Sequence, residues 1–396
     1  MKRVVLAYSG GLDTSVAIPW LTEQGYEVVA VAVDVGQQGD LGAAVARAES
    51  LGAVEARAVD ARAPFVQAFL LPALAWNALY QGRYPLVSAL SRPLIAQVLV
   101  EVARETGADA VAHGCTGKGN DQVRFEVGLG ALAPDLEVLA PVRDWGMSRE
   151  QTVAYARERE LPIATTKDSP YSIDENLWGR SIECGALEDP WASPEPDAFE
   201  LTVDPAEVDA RPREVEVTFD GGVPTGVDGE GHTPQNAIAA IGKIAGAYGF
   251  GRVDMVEDRL VGIKSREIYE APGALALIAG HVDLESLTLE RDVGAEKRRL
   301  EPVWADLVYK GLWFSPLRDA LDAFAASTQR WVSGDVRLRF SAGGCLPVAR
   351  RSSVALYDDD LATYTSNDTF EHADAAGFVR LWGLPTRRWA TVQGRE

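Results

Sequence analysis

The stretch "VVLAYSGGLDTSVA", Val4 to Ala17, decides how the rest of the chain reads. An apolar run ends at Tyr8, a serine and two glycines follow, and a helical pattern opens near Asp13. A strand, a tight turn and a helix N-terminus in that order make a nest of backbone N–H groups, to which the helix dipole adds positive potential. Ser9, Thr14 and Ser15 add hydroxyl donors, so the string suits a terminal diphosphate, with Asp13 able to approach a metal ion. The loop has neither the G-x-x-x-x-G-K-[ST] of a Walker loop nor the G-x-G-x-x-G of dinucleotide folds. A plain tight turn is the competing reading of the glycine pair. The hydroxyl–Gly–Gly–x–Asp–hydroxyl–hydroxyl string argues against it.

Working outward, "RVVLAYS", "EVVAVAVDVG", "VEARAVDA" and "ADAVAHG" read as Val- and Ala-rich strands, with helices at Thr14–Gln24, Leu41–Ser50 and Pro93–Thr106 between them. Strand–helix alternation predicts an α/β fold with a doubly wound, mostly parallel sheet buried on both faces. Ligands of such sheets lie beyond the carboxyl ends of the strands. Two polar stretches follow strand ends, "SGGLDTS" and "HGCTGKGNDQVRFE", and the nucleotide is expected between them.

Composition changes past about residue 186, where "LEDPWASPEPDAFELTVDPAEVDARP" reads as a linker or a wrapped surface segment. "REVEVTFDGGVPTGVDG" and "DVRLRFSAGGCLPVARRSSVALYD" read as two hairpins, with helical patterns at Gln235–Tyr248 and around Ala295–Ala326. This predicts a second, α+β domain. A terminal helix capped by Asn367 or Asp368 carries Phe370, Ala373, Phe378, Leu381 and Trp382 on one face. Gly383 and Pro385 are expected to stop it, leaving Leu384 and Trp389 on an extended end. The expected division is 1–167, 168–362 and a C-terminal arm, 363–396.

The 396 residues carry 38 Lys and Arg against 58 Asp and Glu, a formal charge of −20. Such a surface argues against a nucleic-acid partner, which needs cations to displace counterions. It also means that a polyphosphate must find its positive potential locally. No apolar run approaches the ~20 residues that span a bilayer, so no membrane role is expected. Three dispersed cysteines, Cys115, Cys184 and Cys345, suit the reducing cytoplasm, and with four scattered histidines they make no metal-ligand spacing.

"SGGLDTS" resembles the PP-loop of the N-type ATP pyrophosphatases, which cut ATP between the α- and β-phosphates. Within that group the chain resembles the argininosuccinate synthases, through "YPLVSALSRP", "HGCTGKGNDQVRFE", "SPYSIDENLWGRS" and "MVEDRLVGIKSREIYEAP" in that order. A first domain binding ATP, a second for citrulline and aspartate, and homotetramers whose C-terminal arms reach across subunits are what the resemblance implies. It also implies a two-step reaction with Mg²⁺. The ureido oxygen of citrulline attacks the α-phosphate to give citrullyl-AMP and pyrophosphate, and the amino group of aspartate then displaces AMP.

By the same resemblance ATP is held by Ala7, Tyr8, Ser9, Gly10, Gly11, Leu12, Asp13, Thr14 and Ser15, with Val33 and Gly114. Aspartate falls to Thr116, Asn120 and Asp121, and citrulline to Tyr84, Asn120, Arg124, Ser172, Ser181, Glu257 and Tyr269. Asp13 and Asp121 are the expected catalytic carboxylates. Each residue also has a bland reading: turn formers at Thr116 to Asp121, a solvated charge at Arg124, a capped helix start between Ser172 and Ser181. Glu257 and Tyr269 could be surface residues of a helix–turn segment. Cys115, next to Gly114, is read as packing. The chain departs from the family at Ala89, where a serine can contact citrulline (Ser88 is adjacent), and at Val33, Tyr248 and Asp258. Another PP-loop adenylating enzyme would share only the first motif, and a non-catalytic nucleotide sensor would not need the polar set from Thr116 to Arg124.

Overall fold

Five parallel strands form the first sheet: β1 (Lys2–Ala7), β2 (Tyr26–Asp34), β3 (Glu55–Asp60), β4 (Ala110–Ala112) and β5 (Glu137–Leu139). Their order is β3-β2-β1-β4-β5. Four coincide with the expected runs; β5 is three residues long, too short for a pattern to announce it. The computed structural model describes residues 1–161, 171–209 and 211–394.

Alternation along β1 explains why both faces are covered. Val4 and Leu6 pack with Ile18, Leu21 and Ala48 from the helices Leu12–Glu23 and Leu41–Ser50. Val5 faces the other way, into the cluster that holds Leu90, Leu94 and Leu99. The chain leaves β1 for β2 on one side and β4 lies on the other, so the carboxyl ends of β1 and β4 open a crevice at the switch point. That is where the two polar stretches emerge.

The helix expected from Pro93 begins six residues earlier and runs Val87–Thr106, with Pro93 inside it. Burial of Val87, Ala89, Leu90 and Leu94 holds the first turns against the core, which outweighs the N–H that the proline lacks.

Beyond residue 171 come β6 (Ser172–Asn176), β7 (Gly179–Glu183), β8 (Arg213–Asp220), β9 (Val223–Val227), β10 (Glu230–Gly231), β11 (Arg252–Asp258), β12 (Lys264–Glu270), β13 (Gly334–Ser341) and β14 (Gly344–Arg351). They form two antiparallel sheets, β11-β12-β7-β6 and β10-β9-β8-β13-β14. Both expected hairpins are present, as β8–β9 and β13–β14. The helix Pro234–Ala247 is as expected, while the long helical pattern divides into Arg291–Tyr309 and Pro316–Gln329. The Pro-rich acidic stretch is a wrapped segment rather than a free linker. Its Leu187 and Ala198 pack on Ile182 and Ile268, and its amides at Glu200, Leu201 and Thr202 donate to the buried Glu270 carboxylate.

Residues Met1–Ser353 form one compact unit and Val354–Glu396 a second. The expected boundary at 167/168 lies outside the described residues. In the second unit the helix His372–Trp382 is capped by Glu371, not by Asn367 or Asp368. Pro385 does not stop it: the chain turns at Gly383 into another helix, Leu384–Gln393, with the proline in its first turn. That position needs no N–H, so proline starts a helix as readily as it ends one.

Candidate active site

A cleft of about 590 Å³ opens over the carboxyl ends of the first sheet and is closed from the other side by the sheet β11-β12-β7-β6. At one end stands the glycine loop. Gly10 adopts φ +76°, a conformation that L side chains rarely take, and its carbonyl accepts from Arg47 Nη1 at 2.8 Å. Ser9 Oγ receives the Gly11 amide at 3.3 Å and contacts Thr14 Oγ1 at 3.1 Å. The loop is thus ordered by its own hydroxyls and runs into the first turn of the helix Leu12–Glu23, whose Asp13 and Thr14 line the cleft. Gly114, at the end of β4, lies so close that a Cβ there would meet Thr14 Cγ2 at 2.7 Å.

Ala7, Tyr8, Ser9, Asp13, Thr14, Val33 and Gly114 line this end together, and Val31 and Val35 widen its apolar side. Ser15 does not join them. It is fully buried, its hydroxyl contacts Tyr8 Oη at 3.1 Å, and its amide already donates to Gly11 inside the helix. Gly10, Gly11 and Leu12 shape the loop without lining the cleft.

The middle is an ion-pair lattice. The helix Asp121–Leu132 puts Asp121 and Arg124 one turn apart, Arg124 Nη1 donating to Asp121 Oδ1 at 2.8 Å. Arg92 donates to Asp121 Oδ2 at 2.8 Å and to Asp174 Oδ2 at 2.6 Å. Burial acts to raise the Asp121 carboxyl, but the two guanidiniums outweigh it and hold it at about 2. Burial, with Asp121 nearby, pushes the Cys115 thiol up, so it stays protonated and does not serve as a nucleophile. Thr116 lines the cleft beside it. Asn120 bridges three elements: its Nδ2 donates to Tyr309 Oη at 2.8 Å and its Oδ1 accepts the Leu260 amide at 2.9 Å.

The far end is built by period-two alternation. "SIDENLWGRSIE" is a hairpin, not a capped helix, and Asp174 pairs with Ser181 while Ser172 pairs with Glu183 across it. Ser181 in turn pairs with Tyr269 of β12, and Met255 of β11 pairs with Glu267. Ser172, Asp174, Ser181, Glu183, Glu267, Tyr269 and Glu257 therefore share one face and meet in the cleft. The helix–turn reading of Glu257 and Tyr269 gives way to two buried strand positions.

Tyr84 stacks on Tyr269 with ring centroids 4.0 Å apart. Its hydroxyl accepts the Ser88 amide at 3.0 Å, and Ser88 Oγ lies 3.3 Å from Ser181 Oγ. Ser88 thus supplies a cleft hydroxyl one position before Ala89, which turns into the core. Of the other departures, Val33 lines the cleft, whereas Tyr248 is buried elsewhere, donating to the Arg211 carbonyl at 2.9 Å. Asp258 pairs with Lys264, and its carbonyl accepts from Tyr80 and Tyr309.

Arg92, Asp174, Glu183, Arg259 and Glu267 were not singled out in the sequence, although each lies in or beside a quoted motif. Alternation within "SIDENLWGRSIE" and "KSREIYE" is the signal that finds Asp174, Glu183 and Glu267. Arg47 and Tyr309 carry no local signal, because they reach the site from distant elements.

A parallel sheet with a glycine loop at its switch point, roofed by a polar face, defines an ATP-using α/β enzyme of the HUP type. Residues 3–162 match the "Arginosuccinate synthase N-terminal HUP domain" and 171–389 the "Arginosuccinate synthase C-terminal domain". The chain is 54% identical over 395 residues to the argininosuccinate synthase of Bacillus licheniformis, covering all of this chain and 98% of that one. It is 54% identical over 391 residues to that of Halalkalibacterium halodurans (99% and 96% covered), and 52% over 394 to that of Listeria monocytogenes (100% and 98%). The chain belongs to the argininosuccinate synthase family, the ATP-dependent ligases that join citrulline to aspartate.

Proposed function

We infer that the cleft divides its three substrates by position, ATP at the glycine loop, aspartate at the start of the helix Asp121–Leu132, and citrulline under the β11-β12-β7-β6 face. The observation that carries this reading is the continuous polar lining from Ser9 through Asp121 to Glu257 within one cleft. With ATP on the loop, the β- and γ-phosphates rest on N–H donors as a leaving group, and charge develops where those donors already point. The ureido oxygen is a weak nucleophile, so the two ends of the cleft act mainly by holding it in line with the α-phosphate.

Thr116, Asn120 and Asp121 then hold aspartate for the second step, with AMP as the leaving group. A carboxyl held at about 2 is a feeble base, so Asp121 orients the aspartate ammonium rather than removing its proton. Arg124 presents its guanidinium to the citrulline carboxylate, and Tyr84, Ser172, Ser181, Glu257 and Tyr269 complete that subsite. Among the described residues no three acidic, His or Cys side chains gather as a metal cage, so Mg²⁺ fits here as a companion of the triphosphate, with Asp13 the acidic group in the first turn beside it. Bound there it neutralises developing charge on the pyrophosphate.

The division into an ATP domain at 1–167, a citrulline–aspartate domain at 168–362 and an assembly arm at 363–396 belongs to the same reading, as do a homotetramer and a cytoplasmic setting. The apolar stripe of the arm and the dispersed cysteines support the last two. Incubation with ATP, Mg²⁺ and citrulline but no aspartate tests the order of steps: labelled pyrophosphate should exchange into ATP. Exchange that requires aspartate would contradict it.

A further inference from the structure

One hydroxyl at the citrulline end has more partners than protons. Tyr269 Oη lies 2.8 Å from Glu257 Oε1 and 2.7 Å from Glu267 Oε2. A phenol carries a single proton, and ionised carboxylates only accept, so two such short contacts need a second proton. Tyr269 keeps its own, because burial and the two neighbouring glutamates push its ionisation well above the ordinary value. The second proton must sit on a carboxyl.

The surroundings say which one. Glu267 Oε1 is 3.0 Å from Arg259 Nη2, which also pairs with Glu183, so the Glu267 charge has a counter-ion. Glu257 has none among the described residues: it is 1% exposed, sits at the inward position that Val253 and Met255 occupy earlier in β11, and its Oε2 is buried in the cleft wall without a hydrogen-bond partner. The groups that face it are Glu267 and Tyr269 from β12, Tyr309 from the helix Arg291–Tyr309, and Tyr80 and Tyr84 from the segment before the helix Val87–Thr106. Tyr309 donates to the Asp258 carbonyl instead, at 3.1 Å.

We propose that the empty cleft holds Glu257 as the neutral acid, donating to Tyr269, which donates to Glu267, and that citrulline binding expels this proton. The proposal rests on the reading that Glu257 belongs to the citrulline subsite, where its buried carboxyl is the group that an ammonium would seek. In the exchange the Glu257 O–H bond breaks, the proton passes to solvent, and an ammonium N–H donates to the freed carboxylate. Glu267 is the positioning residue of this relay, keeping Glu257 protonated until a cation of the right reach arrives. The device favours ligands with a cationic amino terminus over neutral ureas, since only a cation compensates the buried charge. Burial and the Glu267 charge, which push Glu257 up to about 8, place the exchange within the working pH range.

Calorimetric titration of the full-length enzyme with citrulline tests it. A non-hydrolysable ATP analogue is kept saturating, and two buffers of different ionisation enthalpy at pH 7 count the protons. Nearly one proton should leave per citrulline, and the dissociation constant should fall roughly tenfold from pH 6 to pH 7 and flatten above about 8. In Glu267→Gln that midpoint should move to lower pH and the proton count at pH 7 should shrink. Citrulline binding with no proton released, or a Glu267→Gln enzyme weakened equally at every pH, would overturn the proposal. No citrulline binding at all would overturn the subsite assignment beneath it.

Discussion

Gly114 shows how little room the ATP end leaves. A methyl group there would stand 2.7 Å from Thr14 Cγ2, and a threonine in a helix has few rotamers with which to move aside. Gly114→Ala is therefore expected to cost ~1–3 kcal/mol by overpacking, and the loop should carry the displacement. The KM for ATP should rise more than that for citrulline in steady-state assays. Asp121 and Arg124 pose the opposite case, since they touch. Asp121→Asn should impair the aspartate step most, yet it also removes a partner of Arg92 and Arg124, so citrulline-dependent pyrophosphate exchange should fall less but measurably. Arg124→Lys should raise the citrulline requirement in both assays by ~1–3 kcal/mol, through loss of a forked contact. A double-mutant cycle should return ~0.5–3 kcal/mol of coupling; additivity would mean that the pair acts as two independent residues. Sixteen of the named positions, among them Asp121, Arg124 and Tyr269, line the cleft. Ser15 differs from the expectation, because a string of hydroxyls does not show which of them the helix turns inward.

Elements position these residues, and their legibility varied with length. The strand of "VVLAYS" was plain because two-sided burial leaves a continuous apolar run; β5, three residues long, was silent. The hairpin of "SIDENLWGRSIE" leaves a capped helix start open as a bland reading, because polar residues at alternate positions conceal a buried face. Neither Pro93 nor Pro385 marks the boundary that local rules assign to it, the first overridden by core packing and the second standing at a helix start. The helix Leu41–Ser50 has a role no motif announces, since its Arg47 holds the Gly10 carbonyl. Arg47→Ala should slacken the loop and raise the KM for ATP severalfold, with little change for aspartate. An unchanged ATP requirement would mean that the loop holds its shape unaided.

At the scale of the molecule, the −20 charge sits on a chain whose proposed polyphosphate site draws its positive potential from a helix start and glycine-loop amides. The unit Val354–Glu396 ends in two short helices, and Phe378, Leu381 and Trp382 are exposed on the first of these, Trp382 to 77%. In the proposed homotetramer this apolar stripe is the surface that another subunit covers. Deleting residues from Thr365 onward should lower the mass seen by light scattering; a truncated enzyme that keeps its full assembly would remove the arm from that role.

In the proposed reaction the glycine loop releases a pyrophosphate while the ureido oxygen takes the AMP. Citrulline carrying heavy oxygen in its ureido group, turned over with ATP, Mg²⁺ and aspartate, tests this directly by mass analysis of the nucleotide product. The label should appear in AMP, one atom per argininosuccinate formed. Its appearance in inorganic phosphate, with ADP as the nucleotide, would rule out attack on the α-phosphate.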